Sequence, residues 1–311
     1  MTASTTRRFL PRRRFAAAGA LAVAGTLLLS ACGDQTEGAK EGNGGQKTSD
    51  APLFDELPKK YQDSGVIKVG SDIAYAPIEF MKDGKVTGID PDIATAMGKE
   101  LGVEFKFHNG TFDGLVLGMN SGRYDVIMSA MTDTKERQRG ASDDAEGGAD
   151  FVNYFQAGSA ILVAKGNPKK INGVDDLCGK GVAAQRGTAN QTLLNDQQKK
   201  CDSKIKPFIA DQDSDSITQL QTGRVDAVIT DYPVALYNAL TAGGGDRFEV
   251  VGDQIEAAPY GIAVSKKNPE LRDAIQKAMQ AIIDNGEYAK VLKKWEAEAG
   301  AIEKATVNAG K

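Results

Sequence analysis

Small polar side chains follow three predicted buried strands, at the point where each strand ends. The three segments are Ser129-Ala130-Met131-Thr132, Thr230-Asp231 and Arg186-Gly187-Thr188-Ala189-Asn190. When strands and helices alternate along a chain, a ligand binds outside the carboxyl ends of the strands. Hydroxyl groups and backbone amides at these ends suit a small polar molecule. Gly187-Thr188 opens a predicted helix and therefore offers free N–H groups to an anion such as a carboxylate.

The residue counts exclude several other kinds of site. The chain has a single histidine, His108, which excludes a His-based metal cluster and leaves little room for a Ser-His-Asp triad. Three cysteines exclude a four-cysteine zinc site, and the formal net charge of −4 argues against a nucleic-acid binder. We therefore expect a protein without a metal or a cofactor, in which ordinary side chains and backbone groups hold the ligand.

The elements that position these segments form two similar units. The stretch from Ser121 to Met128 has a Gly-Arg-x-Asp turn followed by an apolar strand, and Thr222 to Ile229 repeats this pattern 101 residues later. An apolar helix precedes the turn in both places, so the match extends beyond a chance tetrapeptide. We predict two α/β units, each built around a mostly parallel sheet. The length of 311 residues also fits two domains.

Hydrophobic spacing predicts several individual elements. We expect strands at 66–70 and 103–107, and helices at 90–101, 112–120 and 287–295. Gly102 follows the first of these helices and is a typical helix stop.

The N-terminus has the pattern of an export signal. Five arginines without an acidic residue precede an apolar run of 15 residues, Phe15 to Leu29, which suits a signal peptide better than a membrane span. The following Leu29-Ser30-Ala31-Cys32 resembles a bacterial lipobox. We expect residues 1–31 to be a lipoprotein signal peptide and Cys32 to carry the lipid. Ordinary cleavage with an unmodified Cys32, and twin-arginine export through Arg12-Arg13-Arg14-Phe15, stay open as alternatives.

The mature chain is predicted to be an acidic protein on a flexible tether. Cleavage removes five arginines and leaves 33 basic against 42 acidic residues, a net charge of −9. Residues 33–50 contain no large apolar side chain and cannot form a core, so we expect a linker at 32–52. Folding is expected from Leu53 onward, with a C-terminal tail at 299–311.

Two cysteines remain in the second unit after Cys32 is assigned to the lipid. In an exported protein we expect Cys178 and Cys201 to form a disulfide that closes a loop of about 24 residues. Two free thiols are the alternative.

Three segments in fixed order carry a resemblance to a known family. They are Asp72–Phe80 (DIAYAPIEF), Gly88–Asp92 (GIDPD) and Asp125–Arg137 (DVIMSAMTDTKER). They resemble solute-binding protein family 3, the polar amino-acid-binding proteins of bacterial ABC importers, over about residues 60–298. The resemblance implies a two-lobed α/β periplasmic-binding-protein fold of type 2 with two hinge crossovers, and a cleft that closes over the ligand. Lobe 1 is expected at 53–157 plus 259–298, and lobe 2 at 158–258.

The resemblance also implies which groups bind the α-carboxylate of the ligand. Arg137 corresponds to the family's carboxylate-binding arginine, whose guanidinium makes two parallel hydrogen bonds that lysine cannot copy. The backbone N–H groups of Thr132 and of Thr188 or Ala189 would be further donors. Without the resemblance, Arg137 in its charged run (Lys135 to Arg139) is typical of a surface residue.

The α-ammonium of the ligand would be accepted from the other lobe. Asp231 corresponds to the family's ammonium acceptor, with Ser129 or Ala130 helping from lobe 1. Arg137 and Asp231 would thus hold opposite ends of a zwitterion, which makes closure depend on the ligand.

The side chain of the ligand would lie among aromatic and acidic groups. Tyr75 and Phe112 correspond to a pair that sandwiches it, an arrangement suited to a guanidinium, an amide or an imidazole. Asp72 corresponds to an acid that contacts side-chain ammonium groups, although glutamine-binding members have an acid there too. The neighbouring Gln185 and Thr230 are neutral, so a cation on the ligand would offset the charge of Asp72. We therefore expect a basic or neutral polar L-amino acid.

The leading interpretation is a non-enzymatic receptor, a monomer anchored by lipid outside the cell membrane, that delivers an amino acid to an ABC permease. A sensory receptor with the same fold is one alternative. An exported enzyme similar to cyclohexadienyl dehydratase is another, and it would need a general acid or base, for which Glu79 is the spare candidate. The acidic stretch Ala141–Asp150 is expected to be a surface loop near the cleft.

Overall fold

The computed structural model describes residues 49–140 and 147–310. The predicted signal peptide, Cys32, most of the predicted linker and residues 141–146 of the acidic loop lie outside the described residues. Among the helices that the structure describes, none has the length and apolar character needed to span a bilayer.

The described residues form eleven strands and nine α-helices. The strands are β1 (Val66–Ser71), β2 (Ala74–Tyr75), β3 (Glu79–Lys82), β4 (Lys85–Thr87), β5 (Glu104–Asn109), β6 (Val126–Ile127), β7 (Ala149–Ala164), β8 (Gly181–Gln185), β9 (Lys206–Ala210), β10 (Ala227–Asp231) and β11 (Phe248–Ser265). The helices are α1 (Lys59–Ser64), α2 (Ile89–Leu101), α3 (Leu115–Asn120), α4 (Lys135–Arg139), α5 (Ala189–Lys200), α6 (Asp213–Gln221), α7 (Tyr232–Thr241), α8 (Pro269–Asp284) and α9 (Glu287–Lys294). Short 3-10 turns occur at Phe54–Glu56, Phe112–Gly114, Val174–Leu177, Ala242–Gly245 and Glu298–Gly300.

Eight strands form one sheet in the order β5-β1-β6-β11-β7-β10-β8-β9, and β2, β3 and β4 form a small second sheet. At one end β1 is parallel to β5 and β6, and at the other end β8 is parallel to β9 and β10. We call the half around β1, with α1–α4, α8 and α9, the first lobe, and the half around β8, with α5–α7, the second lobe. The predicted α/β class with mostly parallel sheets is confirmed.

The two long antiparallel strands β7 and β11 run through both lobes. Their pairing begins at Ala149 with Ser265 and ends at Ala164 with Phe248, and it is irregular between Val251 and Ala258. The first part of β7 therefore belongs to the first lobe, while Ser159–Val163 pairs with β10 in the second. These strands are the two crossovers that the family resemblance implies.

Helix α2 shows how local sequence sets an element of the first lobe. Ile93, Met97 and Leu101 are fully buried at helical spacing, and burying each side chain stabilises the fold by about 1.5–3 kcal/mol. Gly102 ends the helix as predicted, in the left-handed region at φ 67°, and its N–H donates to the Gly98 carbonyl.

Two predicted helices differ in extent from the observed ones. The predicted helix at 112–120 is a 3-10 turn at Phe112–Gly114 followed by the short α3, since Gly114 at the junction is a poor helix former. Helix α9 ends at Lys294, and Trp295 is its C-cap.

Cys178 and Cys201 form a disulfide within the second lobe, with 5.4 Å between their Cα atoms. The bond joins the end of a 3-10 turn to the residue that follows α5. It thereby fixes the C-terminal end of the helix whose first turn lies at the cleft.

The predicted C-terminal tail packs against the first lobe. Val307 forms an antiparallel bridge with Val152 of β7, and Ala305 is buried in the core of this lobe. The segment covers β7 along the part where β10 does not pair with it, so that this backbone is not a free edge.

Candidate functional site

A cleft lies between the lobes, where the ends of strands from both halves meet. Its lining consists of Asp72, Tyr75, Glu79, Phe112, Ser129, Ala130, Thr132, Arg137, Gln185, Thr188, Ala189, Asn190 and Asp231. All ten ligand-binding residues implied by the family resemblance lie on this lining. Glu79, Gln185 and Asn190 complete it.

The parallel pairing of β1 and β6 places two of these residues side by side. Asp72 directly follows β1, and its backbone N–H donates to Ser129 Oγ at 3.0 Å. The next residue, Ala130, has φ 46°, a left-handed conformation that is uncommon for alanine and frequent at functional sites. Its N–H donates to the buried Asp90 Oδ2 at 3.3 Å.

Arg137 lies in the first lobe, on the short helix α4. The Thr134 side chain caps this helix by accepting from the Arg137 backbone N–H at 3.2 Å. The guanidinium donates through Nη1 to the Thr132 carbonyl at 2.7 Å and through Nη2 to the Gly187 carbonyl of the second lobe at 2.9 Å. Burial lowers the pKa of Arg137 to about 10, against the opposing effect of the Asp231 charge. The side chain is therefore a cation at neutral pH, and it lies in the cleft and not on the surface.

Asp231 lies in the second lobe, at the end of β10 and the start of α7. Its Oδ1 accepts from Asn190 Nδ2 at 2.9 Å, and Asn190 in turn accepts from Ser159 Oγ. Burial raises the pKa of Asp231, although its hydrogen bonds and the Arg137 charge act in the opposite direction. The carboxylate is thus oriented by the second lobe while its charge is only partly offset.

The two aromatic residues differ in their surroundings. The Tyr75 hydroxyl accepts from the Asp231 backbone N–H at 3.1 Å and lies 3.2 Å from Thr230 Oγ1, so it links the lobes. The Phe112 ring lies 5.4 Å from the guanidinium carbon of Arg137, within the range of a cation–π contact.

Asp72 also links the lobes. Its carboxylate accepts from Gln185 Nε2 and, at 3.3 Å, from Gln212 Nε2, and both donors belong to the second lobe. Burial raises the pKa of Asp72 against these two hydrogen bonds. Both amides are neutral, so no positive charge in the second lobe neutralises this carboxylate through these contacts.

Beneath Ser129, two carboxyl groups are completely buried. Glu79 Oε1 accepts from Ser129 Oγ at 2.6 Å, and Asp90 Oδ2 accepts from the Tyr154 hydroxyl at 2.9 Å. Burial, and next the charge of Asp90, raise the pKa of Glu79 well above its usual range. Glu79 therefore favours its protonated form. Its hydrogen bond with Ser129 Oγ helps to position that side chain at the cleft.

The cleft has an excess of acidic groups. Arg137 is the cation among the described lining residues, whereas Asp72 and Asp231 are both acidic and Glu79 favours its protonated form. Behind the lining, Asp213 at the start of α6 is also buried, and burial raises its pKa to about 7. In the described part of the chain, no cluster of three or more His, Cys, Asp or Glu side chains is placed to hold a metal ion. The unbalanced negative charge favours a ligand with positive charge.

Asp213 gives the ligand-free protein a pH-dependent stability. Because its folded-state pKa is raised from 3.8 to about 7, the folded state keeps a proton that the unfolded chain loses above pH 4. Its contribution to the free energy of unfolding is complete below pH 4 and is lost as the pH rises to 7. We expect Asp213→Asn to remove this loss, so that the variant gains roughly 3 kcal/mol relative to the wild type between pH 4.5 and 7.5.

Urea unfolding at pH 4.5, 6.0 and 7.5 measures this difference. Asp215→Asn, in the first turn of the same helix but exposed, is the matched control and should keep the wild-type profile. Parallel profiles for Asp213→Asn and the wild type would contradict the prediction.

The family of bacterial extracellular solute-binding proteins, family 3, matches residues 67–298. The chain belongs to this family. The resemblance carried by the three sequence segments is thus confirmed, and so is the two-lobed fold that it implies.

Relatives in the family are similar over most of the folded chain. The arginine-binding protein of Corynebacterium glutamicum is 28% identical over 306 residues, which cover 96% of this chain and 97% of that protein. A solved structure of an ancestral arginine-binding protein bound to arginine is 36% identical, with a TM-score of 0.68, and the match covers 74% of this chain and 98% of that one. An ancestral amino acid-binding protein, a precursor of cyclohexadienyl dehydratase, is 33% identical with a TM-score of 0.67, covering 76% of this chain and 97% of that one.

Three polar residues near the cleft were not identified as site residues from the sequence. Asn190 lies in the first turn of α5, Asp213 in the first turn of α6 and Asp90 in the first turn of α2. Polar residues are common at these positions because they favour helix starts, so the local sequence does not distinguish them from ordinary helix caps. Their burial is the signal that separates them from ordinary caps.

Proposed function

We propose that this protein is an extracytoplasmic, lipid-anchored receptor that binds a basic L-amino acid, with arginine as the leading candidate, and delivers it to an ABC permease. The observation that carries the proposal is the opposed pair Arg137 and Asp231, one from each lobe, in a cleft with additional uncompensated acid. A zwitterion with a cationic side chain matches this charge pattern.

The two backbone ends of the ligand would bind to the opposed pair. The guanidinium of Arg137 already donates to two carbonyl oxygens, and a ligand carboxylate is a stronger acceptor for the same fork of N–H groups. The backbone N–H groups of Thr132, Thr188 and Ala189 lie on the same lining. Asp231, held by Asn190, would accept the α-ammonium.

The side chain of the ligand would be recognised by Asp72, Tyr75 and Phe112. A guanidinium can donate to the Asp72 carboxylate and stack against aromatic rings at once, which a neutral amide does less well. Two of the relatives described above are arginine-binding proteins. A neutral polar amino acid such as glutamine is the alternative ligand for the same receptor function.

The family and the N-terminal pattern support the proposed location of the protein. The family consists of extracellular proteins, and the export pattern ending at Cys32 supports a lipid anchor outside the membrane. Two further points belong to the proposal: the protein acts as a monomer, and the lobe boundaries lie at 157/158 and 258/259, next to the register shift between Ile255 and Ala258 in the pairing of β7 and β11.

A ligand screen by thermal shift tests the proposal. Residues 33–311 are heated with each of the twenty amino acids, ornithine and citrulline, after denaturation and refolding to remove retained ligand. A ligand at a hundred times its Kd adds about 2.7 kcal/mol to the stability. We expect a response to arginine and to lysine, ornithine or histidine. A response restricted to neutral amino acids would overturn the basic ligand, and no response at all would overturn the receptor.

The charge of Asp72 provides a sharper test of the ligand class. We expect Asp72→Asn to weaken arginine binding by about tenfold or more and citrulline binding by less than about twofold, because only the former loses an ion pair. Calorimetric titration measures both. Asp63→Asn removes an equal charge from an exposed position in α1 and should leave both affinities unchanged. Equal losses for arginine and citrulline would show that Asp72 does not recognise a cation.

An enzymatic function is the second candidate, because one similar structure is a precursor of cyclohexadienyl dehydratase. It would require an acid or base directed at the ligand. Glu79 lines the cleft, but it is completely buried and accepts a hydrogen bond from Ser129 Oγ. Incubation with prephenate or arogenate, followed by absorbance of the aromatic product, decides between the two functions.

A further inference from the structure

The C-terminal residues 301–310 form an ordered strap on the first lobe, beyond the end of the family match at residue 298. The strap follows β7 through two backbone hydrogen bonds, from Asn153 N–H to the Thr306 carbonyl and from Asn308 N–H to the Phe151 carbonyl, each 2.9 Å long. The Asn308 side chain adds two more, since Oδ1 accepts from Phe151 N–H at 2.8 Å and Nδ2 donates to Asp150 at 2.9 Å. This is a specific docking arrangement and not a loose chain end.

The strap ends at a completely buried carboxylate. Gly310 N–H donates to Asp133 Oδ2 at 2.8 Å, and Asn153 Nδ2 donates to the same oxygen at 3.0 Å. The other oxygen, Oδ1, accepts from Gln138 Nε2 at 2.6 Å. Backbone contact is so close that a Cβ on Gly310 would lie 1.9 Å from the Asp133 carbonyl oxygen. Only glycine fits there without displacement.

Asp133 and Gln138 flank the residue proposed to bind the ligand carboxylate. Asp133 lies between Thr132, whose carbonyl accepts from Arg137 Nη1, and Thr134, whose side chain caps α4. Gln138 directly follows Arg137. Helix α4 has five residues, too few to hold its own geometry, so its orientation depends on such tertiary contacts. Burial lowers the pKa of Arg137, and the charges of Asp231, Glu136 and Asp133 partly oppose this effect.

We propose that residues 301–310 are a positioning strap, which fixes Arg137 through the Gly310–Asp133–Gln138 contacts and so pre-organises the carboxylate-binding site. The inference rests on the proposed function only for the role given to Arg137. The ordering of α4 by the strap is a separate statement, and it can be measured without any ligand.

The first experiment compares hydrogen–deuterium exchange in the ligand-free wild type and in a chain that ends at Val307. This truncation removes Asn308, Ala309, Gly310 and Lys311 but keeps Ala305 in the core. We expect backbone amides at 133–140 to exchange about tenfold faster or more, while α5 in the second lobe is unchanged. Lys304→Ala, exposed on the same strap, is the control and should exchange like the wild type. Unchanged exchange at 133–140 would overturn the proposal, whatever ligand the protein binds.

The second experiment measures binding of L-arginine and of agmatine, which has the same side chain but no carboxylate. We expect the truncation to weaken arginine binding about tenfold more than agmatine binding, because the carboxylate contact of Arg137 is made by arginine alone, whereas the hydrogen bond from Arg137 to Gly187 affects both ligands. Equal weakening of both would indicate general destabilisation and overturn the positioning role. A wild type that binds neither compound would count against the proposed ligand, and the exchange experiment would still decide the strap.

Asp133→Asn serves as a second variant if the truncated chain does not fold. An amide offers one acceptor oxygen in place of two, so it cannot satisfy Gln138 and the Gly310–Asn153 pair together. We expect Asp133→Asn to reproduce the faster amide exchange at 133–140. It should also weaken arginine binding more than agmatine binding, as the truncation does. Wild-type behaviour in both assays would contradict the proposal.

Discussion

Arg137→Ala lowers the affinity for the amino-acid ligand by about 100-fold or more, according to the site geometry. The substitution removes a two-pronged donor from a desolvated carboxylate, and such a loss costs on the order of 3 kcal/mol. It also breaks the hydrogen bond that joins the lobes at Gly187, so the closed form is weakened as well. Calorimetric titration with arginine measures the change.

Two further variants are needed to interpret the result for Arg137→Ala. Arg139→Ala removes an exposed guanidinium from the same helix and should bind like the wild type. Arg137→Lys keeps the positive charge but loses the two parallel N–H donors of the guanidinium. Its affinity for arginine should therefore lie between those of the wild type and Arg137→Ala. If Arg137→Ala kept its affinity while it remained folded, the carboxylate site would have to lie elsewhere.

Asp231→Asn is expected to have effects of opposite sign on binding and on stability. Binding loses the acceptor of the α-ammonium, which should lower the affinity by about 100-fold. Stability of the ligand-free protein at pH 7.5 should stay equal or rise, because burial raises the pKa of Asp231 and its ionised form is therefore disfavoured in the folded state. If Asp231→Asn binds the ligand poorly and yet unfolds at a higher urea concentration than the wild type, Asp231 has a ligand-binding role and not a structural one.

An arginine analogue without the α-amino group, 5-guanidinopentanoate, serves as the matched ligand. The wild type should bind it weakly, and Asp231→Asn should bind it no worse, because the missing ammonium cannot interact with residue 231. Asp246→Asn, exposed in the second lobe, controls for the change in net charge. A parallel loss of affinity for both ligands would mean that Asp231 does not contact the α-ammonium.

The sequence allowed the overall layout of the cleft to be predicted. Ser129 and Thr132, and likewise Asp231, follow apolar strands, and parallel strands necessarily present their carboxyl ends at one edge. The repeated turn at Gly122 and Gly223 indicated two units. Arg137 needed the family resemblance, because a charged run is typical of a solvated helix and only tertiary contacts turn this side chain into the cleft.

Residues whose role depends on burial could not be predicted. Asp90 and Asp213 lie at helix starts, where an exposed aspartate is common. The local sequence does not reveal that other elements of the fold bury these two side chains. Glu79 belongs to a recognised motif, but its raised pKa depends on its complete burial and then on the charge of Asp90, neither of which the motif reveals. The C-terminal strap has no strong hydrophobic period, so its docking follows from side-chain hydrogen bonds with β7 that no local pattern reveals.

The contacts that join the lobes also bear on how fast the protein captures its ligand. Tyr75 with Asp231, Asp72 with Gln185 and Arg137 with Gly187 close the cleft by direct hydrogen bonds. A solute enters only while these bonds are broken, so the association rate constant is the encounter rate multiplied by the fraction of open molecules. Bending of β7 and β11 at their irregular pairing sets that fraction. Two proteins with identical cleft residues would therefore differ in capture rate if their connecting strands differed in stiffness.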